Sequence, residues 1–136
     1  MKKQQNTVLA ISQIAQKNPN GFTVDHNLRP ITNGYSVATK YTQNSFGLTG
    51  LAHVVAIALF QNIERFDGVG GWLNTDNNEY YFDAIKIFNT EADANFYAWQ
   101  NDQISFFDLT NGVEIKTTPP TLTGGIGGNV GFSSTN

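Results

Sequence analysis

The fold is decided by Gly71-Trp72-Leu73-Asn74, the polar run Thr75-Asp76-Asn77-Asn78-Glu79, and Tyr80-Tyr81-Phe82-Asp83-Ala84-Ile85-Lys86-Ile87-Phe88. Two aromatic and β-branched segments around a short polar turn predict an antiparallel hairpin. Asp67 to Gly71, with glycines at 68, 70 and 71, reads as the turn that leads into it. Period two puts Asp83 on the face of Tyr81, Ile85 and Ile87, and Lys86 marks the opposite face as the wet one. An unpaired carboxylate among apolar neighbours is costly, so Asp83 needs a donor or a place at a sheet end. One reading has it accept from the turn Gln43-Asn44-Ser45. The other makes it a carboxylate with a raised pKa in a pocket.

Working outward, Thr42-Gln43-Asn44-Ser45-Phe46-Gly47 leads into a helix over Leu48 to Arg65, with Ser45 as its cap. Leu48, Leu51, Ala52, Val55, Leu59 and Ile63 form its predicted stripe. His53, Val54, Ile57 and Phe60 extend beyond that stripe, which predicts a second cover, by the N-terminal helix or by a partner. Thr7 to Lys17 repeats apolar residues at helical spacing, with Asn6 as N-cap and Asn18-Pro19-Asn20-Gly21 as the stop. Phe22 to Val24 and Tyr35 to Tyr41 read as strands. After Phe88, Thr90 caps a helix whose expected stripe is Ala92, Phe96 and Trp99. Gln103 to Leu109, Asn111-Gly112 and Val113 to Lys116 form a second hairpin. The order α-β-β-α-β-β-α-β-β predicts an α+β domain over residues 1–118, with five to six mostly antiparallel strands and about three helices on one face. Residues 119–136, with Pro119-Pro120 and five later glycines, read as a flexible tail.

The 136 residues suit one domain. Charged residues are 14% of the chain, against about 25% in an average soluble domain. Eight Lys and Arg against eleven Asp and Glu leave a net charge of −3, which disfavours nucleic acid as a partner. The aromatics therefore read as core and protein-facing surface. No cysteine is present, which removes thiolate ligands, cysteine nucleophiles and disulfides. No apolar run reaches the roughly 18 residues of a membrane span, and no signal peptide is visible, so a cytoplasmic protein without a membrane partner is expected.

No established catalytic or nucleotide motif is present. Gly68-Val69-Gly70-Gly71 precedes a strand where a phosphate loop precedes a helix. Two histidines and no cysteine do not build a metal site, and no cofactor is expected. Asp25 and His26 are neighbours in extended chain and point apart. The candidate ligand-binding residues are Gln43, Asn44, Ser45, Tyr81 and Asp83. The candidate interaction surface is His53, Val54, Ile57 and Phe60. A low-charge exterior favours self-association, so a homo-oligomer is expected beside a protein partner.

The segments Asn18-Pro19-Asn20-Gly21-Phe22-Thr23-Val24, Gly34-Tyr35-Ser36-Val37-Ala38, Thr42-Gln43-Asn44-Ser45-Phe46-Gly47, Gly70-Gly71-Trp72 with Tyr81-Phe82-Asp83, and Asn101-Asp102-Gln103-Ile104-Ser105-Phe106-Phe107-Asp108-Leu109 occur together in that order. The combination resembles a group of small uncharacterised proteins of bacterial phages and conjugative elements, over residues 18–116. The resemblance implies a mobile-element origin and a site of action in the host cytoplasm, and supplies no catalytic residue. The expected function is non-enzymatic protein binding, against a host defence or replication factor. The alternatives are a small ligand-binding module or enzyme around Asp83 and Gln43, and a virion component.

Overall fold

The computed structural model describes residues 2–120. They form α1 (Lys2–Lys17), β1 (Phe22–Val24), β2 (Tyr35–Ala38), α2 (Gly47–Val55), β3 (Gly68–Asn74), β4 (Glu79–Phe88), α3 (Glu91–Gln100), β5 (Ser105–Asp108) and β6 (Val113–Lys116). The architecture is the expected single α+β domain, in the expected order. The six strands make one sheet in the order β1-β3-β4-β2-β5-β6, with every neighbouring pair antiparallel. The β3–β4 hairpin is its axis, in register from Gly68 opposite Ile85 to Asn74 opposite Glu79. Gly68 is the first residue of β3, so the glycines expected in a turn lie within the strand. A side chain at Gly68 would collide with the Val24 carbonyl, so this glycine lets β1 lie against β3.

Residues directly opposite in antiparallel strands share a face. Phe22, Val24, Val69, Phe82 and Ala84 therefore point the same way as Tyr35, Val37, Phe88, Phe106 and Ile115. The first group packs with Ile11 and Ala15 of α1 and with Leu51, Val54 and Val55 of α2. The second packs under Ala94 and Ala98 of α3. All three helices thus cover one face of the sheet, as expected. Lys86 lies on that helix side, between the two clusters, and donates to the Arg65 carbonyl. The face of Tyr81, Asp83 and Ile85 carries no helix, although Ile85 is buried there, which reverses the assignment made from Lys86.

Several local expectations change. Lys and Gln are good helix formers, so α1 begins at Lys2 and runs through Asn6 without using it as a cap. β2 stops at Ala38, and Tyr41 lies in a 3₁₀ turn, Lys40–Thr42, with the Arg65 guanidinium over its ring at 4.7 Å. α2 passes into a π-helical segment, Ala56–Gln61, that ends at Gln61 and not at Arg65. Its buried residues are Leu51, Val54, Val55, Ala58 and Leu59, because α1 presses on its flank while the sheet lies beneath. Leu48, Ala52 and Ile63 are left exposed.

In α3 the small residues Ala94 and Ala98 face the sheet, while Phe96 and Trp99 stack on the outside. Large apolar residues drew the sequence reading, but close approach of the helix to Val37 and Phe106 requires small ones. Thr90 caps α3 as expected, accepting from the Asp93 N–H at 3.2 Å. The expected tail falls on residues 119–136, of which 121–136 lie outside the described residues.

This packing predicts an inversion of the usual size effect. Ala98→Leu should cost about 1–3 kcal/mol by overpacking. Phe96→Ala should cost less than Ala98→Leu, and urea denaturation of the two variants checks the order.

Candidate functional site

β2 pairs with β4 only from Ile85 to Phe88, so the rest of that edge of β4 must find other partners. They come from the segment between β2 and α2. The Thr39 N–H donates to the Ala84 carbonyl at 3.1 Å, and the Thr42 hydroxyl accepts from the Ala84 N–H at 3.1 Å. The Ser45 carbonyl then accepts from the Phe82 N–H at 2.8 Å, and Phe46 bridges to Tyr81. The chain leaves the edge, turns and returns to it. Ser45 serves through its backbone and is not the cap of α2. The N-cap is Phe46, which makes no side-chain hydrogen bond.

The segment is pinned from the far side by Asn101, a buried residue at the end of α3. Its Oδ1 accepts from the Thr39 hydroxyl and the Lys40 N–H, both at 3.1 Å, and its Nδ2 donates to the Tyr97 carbonyl at 3.0 Å. Gln43 accepts from Gln103 Nε2 at 2.9 Å. Asn44 is exposed and holds a positive φ of 62°. Thr39, Thr42 and Asn101 are the residues that sequence reading missed. Only their burial reveals them, since isolated Thr and Asn read as ordinary loop polarity.

On the open face this arrangement brings Asp83 opposite Gly70, two residues from Tyr81 and close to Thr42. Burial raises the Asp83 carboxyl to about 7, and a hydrogen bond from the Thr42 hydroxyl opposes the rise. The expected apolar setting of Asp83 is thus present, but its donor is Thr42 and not the Gln43-Asn44-Ser45 turn. Beside it, the Tyr81 ring lies 5.3 Å from Phe46 and 5.1 Å from Trp72, the latter stacked at 19°. Asn77 Nδ2 donates to the Tyr81 hydroxyl at 2.9 Å and steadies the ring. Phe46 is 45% and Trp72 46% exposed, so three aromatic rings run as a strip along the surface.

A hollow of about 490 Å³ opens at the start of α2, lined by Asn44, Ser45, Phe46, Leu48, His53 and Glu79 among others. It collects two of the five expected ligand residues. Gln43, Tyr81 and Asp83 are not among its lining residues, so no common cavity joins Asp83 to Gln43 there. The expected interaction surface on α2 also needs correction. Val54 is fully buried, and Ile57 and Phe60 pack partly buried against the core shared with α1. His53 alone is exposed. The second cover is therefore α1, and it removes the need for a partner on that helix.

Among the described residues no three His, Cys, Asp or Glu groups come together to hold a metal, and no helix is long and apolar enough to cross a membrane. His26 bonds through its ring to the Phe66 carbonyl, while Asp25 accepts from the Asn27 and Arg29 N–H groups, so the two do not act as a pair. Compared with known proteins, the chain matches no family model, no curated protein and no solved structure.

A carboxyl held above its unfolded value keeps its proton more tightly in the folded state. Its contribution to stability is therefore present at low pH and is lost as pH rises from about 4 through about 7. Asp83→Asn should flatten that decline and stabilise the fold at pH 8 by on the order of 1–3 kcal/mol after allowing for solvent screening. Melting temperatures at pH 4.5 and pH 8 for both chains check it.

Proposed function

We propose that this chain is a non-enzymatic accessory protein of a bacterial phage or conjugative element, acting in the host cytoplasm by binding another protein. The observation that carries this reading is the helix-free face of the sheet, where Phe46, Tyr81 and Trp72 form an exposed aromatic strip. Exposed aromatics that are already stacked lose little rotamer freedom on docking, which is why such residues dominate protein interfaces. The low overall charge fits a partner with a neutral, apolar patch, and a host defence or replication factor is the class of target. Self-association belongs to the same reading. The test is cross-linking in host extract with the native chain and a Phe46→Ala/Trp72→Ala variant. A discrete partner held by the native chain and weakened at least about tenfold in the variant is expected. Equal capture by both would turn the reading down.

A second reading rests on Asp83, whose raised pKa lies beside Tyr81 and opposite a glycine. There the helix-free face is a ligand platform on which the protonated form of the carboxyl donates a hydrogen bond. A small ligand whose binding is lost with Asp83→Asn but kept with Phe46→Ala would favour it over protein docking.

A further inference from the structure

The sheet has two outer edges, and they are treated differently. At β1 the chain folds back on itself. Pro30 bridges to Val24, and the Ile31 N–H donates to the Thr23 carbonyl at 2.9 Å. A proline and a returning loop are a standard way to close an edge against other chains. At the other end β6 pairs only with β5, and among the described residues no strand lies on its outer side.

The hydrogen-bond phase of that edge can be read from its neighbour. The Thr117 N–H donates to the Ile104 carbonyl at 3.0 Å, which continues the β5–β6 register. Alternate residues Ile115 and Val113 therefore bond inward to β5. The backbone N–H and C=O groups of Glu114 and Lys116 point outward. These two residues carry opposite charges and are exposed.

We propose that two copies of this chain pair antiparallel through β6 about a two-fold axis at Ile115, which sets Glu114 of each copy opposite Lys116 of the other. This register satisfies the outward groups of both residues reciprocally and matches opposite charges across the junction. Sliding by one pair in either direction sets Glu114 against Glu114 or Lys116 against Lys116. The edge thus selects one register for itself and repels the adjacent ones. The Ser105 hydroxyl holds one Glu114 carboxylate oxygen at 2.6 Å and leaves the other to face the partner's lysine.

Exposed apolar side chains lie around this edge. Val113 is 48% exposed on β6 itself. Ile104, 83% exposed, and Trp99, 44% exposed, line a hollow of about 560 Å³ beside Thr117 and Thr118, and Phe96 stacks on Trp99. Asn95 holds Thr118 from both sides, accepting from its N–H and donating to its carbonyl at 2.9 Å. The strand exit is thereby fixed to α3, and the apolar rim is held beside the pairing edge. A second copy on β6 would cover these side chains and extend the sheet to twelve strands. The proposal does not depend on what the open face binds.

Sedimentation velocity on the full chain tests it, with Glu114→Lys, Lys116→Glu, their double swap, and Glu114→Pro. Besides the Glu114 carboxylate, the proline removes an outward backbone N–H, and it spares the backbone ladder to β5. The native chain should show a monomer–dimer equilibrium. Each single charge reversal should raise its dissociation constant by about tenfold or more, and the double swap should restore it. Glu114→Pro should be monomeric with an unchanged circular dichroism spectrum. A native chain monomeric up to about 0.5 mM, which is weaker than a millimolar-class contact would allow, overturns the proposal. So does a dimer indifferent to Glu114→Lys and Glu114→Pro, or a charge swap that fails to restore pairing.

Discussion

A central strand longer than its neighbour has to be completed by something. β4 spans ten residues, and β2 reaches only four of them, which leaves the N–H groups of Phe82 and Ala84 without strand partners. An unpaired buried N–H costs on the order of 1–3 kcal/mol, and each of these finds an acceptor in the segment before α2. Thr42 supplies a hydroxyl and Ser45 a carbonyl. That requirement fixes where α2 starts, why Phe46 meets Tyr81, and why a threonine stands beside Asp83. The candidate site follows from closing a backbone ladder.

The second constraint is that the helices lie on one side. α1 and α2 share a core with β1, β3 and β4, while α3 covers β2 and β5 through two alanines. The opposite side is floored by Gly68 and Gly70 and lined by side chains of mixed character, among them Asp83, Trp72 and Phe107. Antiparallel sheets tolerate such an uncovered face, which parallel ones rarely do.

Much of this was legible from residue pattern alone. Strand order along the chain, the one-sided helices and the Thr90 cap all follow from period and turn chemistry. What was not legible has a common cause. The side of the sheet that stays open depends on where the helices dock, and Lys86 misled because a lysine can sit in a seam between two helices with its ammonium on a carbonyl. The buried stripe of α3 was missed because close packing selected alanine over phenylalanine and tryptophan. Val54, Ile57 and Phe60 suggested a docking surface because nothing in a single helix shows that another helix already covers it. The polar ties from Thr39 to Asn101 and from Thr42 to Ala84 join residues 62 and 42 positions apart in the chain, beyond any local signal.

Asn101 has a mechanical consequence. One amide side chain grips the exit of β2 and the last turn of α3 together, so neither can fray alone. Local openings of the molecule should accordingly be shared ones, with the helix end and the loop at Lys40 releasing as one cooperative unit. The aromatic strip rides on that loop through Phe46, which couples the order of the exposed rings to the integrity of a helix on the other side of the sheet.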